Sequence, residues 1–160
     1  MEKGKKTEAP FWEKPLSELT RSQWEKLCDG CGRCCLVKLE DEDTGNFYHT
    51  SVSCKMLDHK TGLCGDYENR REHVPDCVRL TLAKLQDIDW LPPTCAYVLR
   101  NQGRPLPPWH PLISGDPESV YRAGVSVRGK VEVSEADIDE EDTVDYIRLW
   151  PKRWPKKARY

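Results

Sequence analysis

The chain has 160 residues and a formal net charge of −2, so its overall charge does not point to a polyanionic partner such as nucleic acid. Hydrophobic residues make up 38% of the chain and charged residues 32%, with only 2 Phe and 2 Met, which indicates a thin apolar core in a single domain. No run approaches the roughly 18 apolar residues of a membrane span, so none is predicted. The 8 cysteines are therefore candidate staples for a small core.

The N-terminal part is predicted to lead from a disordered segment into a helix. Residues 1–10 are charged and lack an apolar signal segment, which predicts a disordered lead-in and a cytoplasmic location. Thr20 is a candidate N-cap for a helix over residues 21–28. Trp12 and Trp24 are predicted to pack beside the cysteines that follow this helix.

The helix leads into the densest chemical feature of the sequence, Cys28-Asp29-Gly30-Cys31-Gly32-Arg33-Cys34-Cys35. Thiolates spaced by two residues on a glycine-rich backbone are typical of peptides that hold a soft metal ion or an iron–sulfur cluster. Three cysteines at successive intervals of three favour a cluster over zinc, whose sites more often use two separated C-x-x-C pairs. Because neighbouring side chains on extended backbone point to opposite sides, Cys34 and Cys35 can serve two metal centres, or one centre plus a free thiol.

The middle of the chain spaces its cysteines between predicted turns and short elements. Weak alternation over residues 36–53 around an acidic turn predicts a β-hairpin. A turn at 58–62 is expected to bring Cys54 and Cys64 together, and Asp66 to cap one helical turn through residues 67–71. Cys77 then follows in an extended segment.

Two more helices and a cysteine-free last third complete the predicted elements. Thr81 is expected to cap a helix over residues 82–88, and a further helix starts at Cys95 and runs to about Asn101. Asp116 followed by proline predicts an N-cap. Alternating valines over residues 125–133 then predict a strand or small hairpin.

These elements predict an α+β fold, a small irregular metal-stapled single domain with short helices and one or two small β-hairpins. The predicted organisation is a lead-in over 1–10, a cysteine-cluster metal-binding core over 11–103, a proline-rich crossover with an α/β extension over 104–150, and a basic tail over 151–160. The acidic segment 132–145 and the basic tail are candidate contacts for a protein partner, although solvated surface is the simpler interpretation. The tail could also stack nucleic-acid bases, which ranks last.

The ligand hypothesis includes all the cysteines, Cys28, Cys31, Cys34, Cys35, Cys54, Cys64, Cys77 and Cys95. Four upstream and four downstream thiols allow two tetrathiolate sites, and they equally allow one site with spare thiols. Four disulfides are the alternative, which a reducing compartment disfavours. Arg33 would offset thiolate charge. His49, His59, His73 and His110 are spare nitrogen ligands, of which His59 is best placed, although an exposed turn histidine is the simpler interpretation.

A family resemblance covers roughly residues 28–80. The run C-x-x-C-G-x-C-C, followed by Cys54, Leu57-Asp58, Gly62-Leu63-Cys64, Tyr67, Arg70, Pro75 and Cys77, resembles the bacterial cysteine-cluster family of zinc- or iron-chelating domains. Trp90–Tyr97 and 110–115 extend the resemblance to its YcgN-like branch. The family's adjacent Arg-Pro is split here by Glu72-His73-Val74. The resemblance implies metal chelation and brings no established reaction.

The sequence thus predicts a cytoplasmic metal-binding protein whose cofactor is zinc or iron, the latter including an iron–sulfur cluster. Two alternatives remain: an iron–sulfur redox or cluster-dependent modifying enzyme, and a metal storage or delivery protein. Neither a glycine-rich dinucleotide loop nor a P-loop is present, so no catalytic motif accompanies the cysteines.

Overall fold

A computed structural model describes residues 9–75, 77–78, 80–148 and 150, and these form a small α+β fold. The α-helices are α1 (Arg21–Lys26), α2 (Arg70–His73), α3 (Leu82–Asp87), α4 (Ala96–Asn101), α5 (Pro111–Ser114) and α6 (Ser119–Arg122). The strands are β1 (Leu36–Glu40), β2 (Phe47–Ser53) and β3 (Val133–Ser134). Short 3-10 segments cover Phe11–Glu13, Leu16–Glu18, Arg33–Cys35, Glu135–Asp137 and Glu140–Tyr146. Within the described residues, no helix has the length and apolar character needed to cross a membrane.

The helices that flank the cysteines begin at caps that the sequence predicts. Thr20 accepts a hydrogen bond from the Gln23 amide and forms a capping box with that residue at the start of α1. Thr81 accepts from the Lys84 amide at the start of α3. Each such cap contributes about 1 kcal/mol to helix stability. The predicted helix boundaries at Thr20 and Thr81 are therefore confirmed.

The predicted hairpin is confirmed as β1 and β2, and β2 is the central strand of a three-stranded sheet in the order β1-β2-β3. Strands β1 and β2 pair antiparallel from Glu40↔Phe47 to Leu36↔Ser53, with an irregularity between Leu36 and Lys38. Strand β3 joins the other edge of β2 in parallel, through Val52↔Val133. The hairpin carries the chain from the cluster loop (residues 28–35) back to Cys54.

Among the described residues, the apolar core is divided into three small clusters, and each includes a cysteine or has one packed against it. The first surrounds Leu27, Leu85 and Tyr97, with Cys95 packed against it. The second contains Cys31 with Trp109, Val120, Ala123 and Val125. The third contains Leu36, Leu57, Val127 and Trp150, with Cys35 packed against it. Each cluster buries too few side chains to resemble an independent domain core.

The predicted strand or hairpin over residues 125–133 is wrong except at its end. Only Val133 belongs to a strand, while residues 125–131 form turns and irregular backbone. Val125 and Val127 are both buried, but so is Ser126 between them, so the alternation of residue types does not mark two faces. The Val127 amide instead donates to the Cys31 carbonyl at 2.8 Å, which ties this segment to the cluster loop.

Two predicted helix caps are also wrong. Asp66 does not cap a helix: α2 starts later, after Asn69, and the Asp66 carboxylate contacts the side chains of Asn69 and His73. Asp116 lies outside α6, whose N-cap is Glu118, and its carboxylate accepts from the Glu118 amide in a local turn. Asp116 closes a turn before its helix, whereas Asp66 contacts the side chains at the two ends of α2.

Several predictions lie outside the described residues. Most of the lead-in over 1–10 and the whole basic tail over 151–160 belong to this group. The acidic segment 132–145 is described and its acidic side chains are largely exposed. Glu132 is ion-paired with Arg148 at 2.8 Å and accepts from the Ser51 hydroxyl at 2.9 Å, so part of this segment is bound to the sheet.

Candidate metal centre

The cluster loop turns tightly after α1 because two glycines take left-handed backbone. Gly30 has a φ of +76° and Gly32 a φ of +78°. The Gly30 amide donates to Cys28 Sγ at 3.4 Å, and the Cys31 amide donates to the Asp29 carboxylate at 3.0 Å. A main-chain N–H group aimed at sulfur, as at Gly30, stabilises a thiolate.

Gly32 is fixed by close neighbours as well as by its backbone angle. A Cβ atom at this position would lie 2.6 Å from the Gly62 carbonyl oxygen and 2.7 Å from a methyl group of Val127. The Gly32 carbonyl accepts from the Cys35 amide at 3.0 Å and so closes the turn that holds Cys34 and Cys35. The loop, the 58–62 turn and the Val127 segment therefore meet at this glycine.

The second group of cysteines is positioned by main-chain contacts with the loop. The Cys54 amide, at the end of β2, donates to the Cys35 carbonyl at 2.7 Å. Leu57 and Cys64 form an isolated antiparallel bridge across the 58–62 turn, and the Leu57 amide donates to the Cys54 carbonyl at 3.0 Å, so this turn places Cys64 beside the residue that contacts Cys54. Cys77 follows α2, and its amide donates to the Val74 carbonyl at 2.9 Å.

Cys95 is brought to the loop by α4. It is the N-cap residue of that helix, and the preceding Thr94 accepts a hydrogen bond from the Arg33 guanidinium at 3.3 Å. The Trp24 and Tyr97 rings stack with 4.8 Å between their centroids, and the Tyr97 hydroxyl donates to the Trp24 carbonyl at 2.6 Å. The end of α1 and the start of α4 are thereby held side by side.

All eight cysteines line one cavity of about 490 Å³. Its wall also includes Trp24, Asp29, Lys38, Trp90 and Tyr97. A larger groove of about 700 Å³, between Arg21 and the 67–72 segment, has no cysteine in its wall. Every cysteine is a free thiol. Because all of these soft thiol donors line one cavity, the cysteine cavity is the candidate functional site.

The donor set fits a thiophilic metal, because a wall of eight thiols with few other strong ligands is what zinc and iron–sulfur centres use. Across the described residues, no three His, Cys, Asp or Glu side chains converge closely enough to hold a single ion. The thiols thus line the cavity without meeting at one point.

The thiol pKa values differ with their surroundings. A hydrogen bond from Cys35 lowers the pKa of Cys34 to about 7, with help from the positive charge of Lys38. The same hydrogen bond, together with burial, raises the pKa of Cys35. Burial raises the pKa of Cys95 to about 12. Cys28 is exposed at its surface, but protein atoms crowd its thiol, and this desolvation raises its pKa.

Arg33 places a buried positive charge beside the thiols. Its side chain is only 1% exposed, and its guanidinium lies 5.8 Å from the Trp150 ring centroid. Burial lowers the pKa of Arg33, while the charges of Cys31, Asp29 and Cys95 act in the opposite direction. A buried guanidinium is stable beside negative charge, which thiolates bound to a metal would supply. This supports the prediction that Arg33 offsets thiolate charge.

Replacing Arg33 with an uncharged side chain of similar length tests that role. Arg33→Met is expected to weaken zinc binding about 10-fold or more, since outer groups of a metal site typically contribute that much to affinity. Competition with a coloured chelator measures the change. Arg122→Met is the matched control, because Arg122 is ion-paired with Asp116 on the surface, away from the cavity. Equal affinities of Arg33→Met and wild type would refute the role.

None of the four histidines lines the cavity. His110 is fully buried, its Nε2 donates to the Leu27 carbonyl at 2.7 Å, and its Nδ1 accepts from the Leu112 amide at 3.0 Å. Burial lowers the pKa of His110, which keeps the ring neutral. His59 contacts the Ser53 hydroxyl at 2.7 Å, and His73 pairs with Asp66. His110 is thus a structural residue rather than a spare ligand.

Sequence reasoning did not assign Lys38, Asp29 or Trp90 to the cavity wall. Lys38 projects from β1, donates to the Cys34 carbonyl at 2.9 Å and lies 4.4 Å from the Trp90 ring centroid. Asp29 is buried and turns the loop. The position of Asp29 inside the cysteine run could have identified it as a residue of the site, whereas the sequence offers no such signal for Lys38 or Trp90. Of the two predicted tryptophans, Trp24 lines the cavity, while Trp12 packs on the first core cluster.

Comparison with known proteins gives a consistent family. A family profile described as "Putative zinc- or iron-chelating domain", with the C-x-x-C-x-x-C-C pattern, matches residues 27–96 and so includes Cys95. A UPF0260 protein of Rhizorhabdus wittichii is 62% identical over 85% of this chain and 94% of its own. UPF0260 proteins of Rhizobium etli and Rhodopseudomonas palustris are 58% and 55% identical, over 89% and 93% of this chain and 90% and 88% of theirs. No solved structure matches the chain.

Proposed function

Because the chain belongs to the UPF0260 family and contains a domain described as zinc- or iron-chelating, we propose that it is a metal-binding protein whose cysteine cavity holds zinc or iron. The cofactor would bind through thiolates, and the cavity wall would shield it from water. Iron includes an iron–sulfur cluster, which the spacing of three in the cluster loop favours.

One observation carries this proposal: cysteines from distant parts of the chain line a single cavity. Cysteines that served only as small apolar residues would be distributed among the core clusters and would not line one shared cavity. The buried Arg33 and the loop amide directed at Cys28 add positive charge and hydrogen-bond donors that suit thiolates.

Thiolate ligation requires reduced cysteines, so we place the protein in a reducing compartment such as the cytoplasm. The redox, modifying-enzyme and metal-delivery alternatives stay predictions, because no contact in the cavity favours one of them. A protein partner at residues 132–145 or 151–160 is likewise a prediction.

Metal analysis of the full chain after anaerobic purification tests the proposal. Stoichiometric zinc with no colour, or iron with a brown colour and visible absorbance, is expected, and either result identifies the cofactor. Cys31→Ser should bind less metal than the wild type, whereas His59→Ala, which changes a residue outside the cavity wall, should keep the wild-type content. Wild-type protein that neither carries zinc or iron nor takes it up on reconstitution would overturn the proposal.

A further inference from the structure

We propose that metal binding draws the cavity thiols together into two separate tetrathiolate centres, Cys28/Cys31/Cys34/Cys95 and Cys35/Cys54/Cys64/Cys77. This inference rests on the proposed metal-binding function and adds how the ligands are shared. A division by chain order would place Cys35 with the upstream cysteines and Cys95 with the downstream ones. In the proposed grouping, Cys95 joins the upstream cysteines and Cys35 joins the downstream ones.

The first centre follows from the contact between α1 and α4. Leu27 and Ala96 pack in the same core cluster, and each is the chain neighbour of a cysteine, Cys28 and Cys95 respectively. The hydrogen bond from Arg33 to Thr94, at 3.3 Å, ties the cluster loop to the residue before Cys95. Cys95 is therefore attached to the loop side of the cavity.

The second centre follows from main-chain contacts around the end of β2. The Cys54 amide bonds to the Cys35 carbonyl at 2.7 Å, and the Leu57 amide to the Cys54 carbonyl at 3.0 Å. Leu57 pairs with Cys64, and Leu57 shares a core cluster with Cys35. Cys77 is the remaining cysteine of the cavity wall and completes this group of four.

The Cys34–Cys35 peptide lies between the two groups. Cys34 and Cys35 are chain neighbours, so the centres would be adjacent. Each thiol that binds a metal gives up its proton to the buffer, and two tetrathiolate centres therefore carry considerable negative charge. Arg33 donates to the hydroxyl of Thr94, beside Cys95, at 3.3 Å, and Lys38 donates to the Cys34 carbonyl at 2.9 Å, which places one cation at the first group and one at the junction.

Paired substitutions distinguish this ligand sharing from the upstream and downstream division. Metal content is counted by native mass spectrometry of the full chain, purified anaerobically and reconstituted with zinc or iron. Cys28→Ser with Cys95→Ser removes ligands of one centre and should keep half of the wild-type metal. Cys77→Ser with Cys95→Ser removes a ligand of each centre and should keep none. The opposite pattern would overturn the proposed grouping.

A measurement on the wild-type chain decides the question where a variant does not fold. A chelator is added in steps, and the thiols released at each step are alkylated and mapped by mass spectrometry. The cysteines should become reactive in the two sets of four. Release of all eight together, or in other sets, would overturn the two centres but not metal binding. Protein that binds no metal would instead overturn the proposed function.

Discussion

Removing the metal from the reduced protein is expected to abolish its cooperative thermal transition. Each of the three core clusters is small and includes a cysteine or has one packed against it, so the cavity is where they are joined. Structural zinc supplies about 10–16 kcal/mol of apparent folding free energy. That equals or exceeds the roughly 5–15 kcal/mol by which a whole domain is stable. The chain without metal should therefore be largely unfolded.

Circular dichroism during heating measures this effect before and after treatment with a strong chelator and a thiol reductant under anaerobic conditions. Adding metal back to the treated sample should restore the transition. A sample with chelator and excess metal controls for direct effects of the chelator. A chelated protein that melts at the temperature of the metal-bound form would show that the three clusters support the fold alone.

Gly32→Ala is expected to be the most damaging single change outside the cysteines. The left-handed backbone at this position costs an alanine about 1–2 kcal/mol. Its Cβ would also lie 2.6 Å from the Gly62 carbonyl oxygen, and relieving this overlap costs a further ~1–3 kcal/mol. Because the displaced turn holds Cys34 and Cys35, metal affinity should fall together with stability.

Gly45→Ala is the matched control for this substitution. Gly45 has a similar φ of +72°, but nothing lies within 4 Å of its added Cβ. Its loss should therefore be limited to the backbone cost of about 1–2 kcal/mol, with metal affinity unchanged. Denaturant unfolding of the metal-loaded proteins and chelator competition compare the two. Equal losses of stability and affinity in both variants would contradict the role assigned to the packing around Gly32.

Short-range signals in the sequence were sufficient to predict the helix starts and the hairpin, because contacts between residues close in the chain form these elements. Thr20 and Thr81 cap helices through residues three positions away, and the hairpin closes over a short turn. The valines over residues 125–133 failed because their surroundings are distant in sequence: Val125 packs with Trp109, and Val127 bonds to Cys31. Alternation reports a strand only where two faces differ in burial.

In the candidate site, too, some features could be predicted from the sequence and others could not. Cysteine spacing was enough to predict which residues line the cavity, because thiols at short intervals have few other uses in a reducing compartment. Their grouping was not predictable, since the neighbours of Cys95 are set by contacts between α1 and α4. Trp24 and Tyr97 make that contact, and nothing in the sequence indicates that these two residues pack together. Lys38 reaches the cavity only because β1 starts directly after Cys35.

The position of Cys95 at the start of α4 has a consequence for the chain as it is synthesised. A ribosome releases Cys28, Cys31 and Cys34 long before Cys95, while every member of the second group emerges in between. Doubling a loop adds only about 0.6 kcal/mol to the entropy of closing it, so chain entropy barely opposes the longer closure. The order in which the cysteines leave the ribosome therefore decides which centre can form first. The second group is complete before Cys95 emerges, and the three cysteines of the first group that precede it lack their fourth ligand until α4 is synthesised.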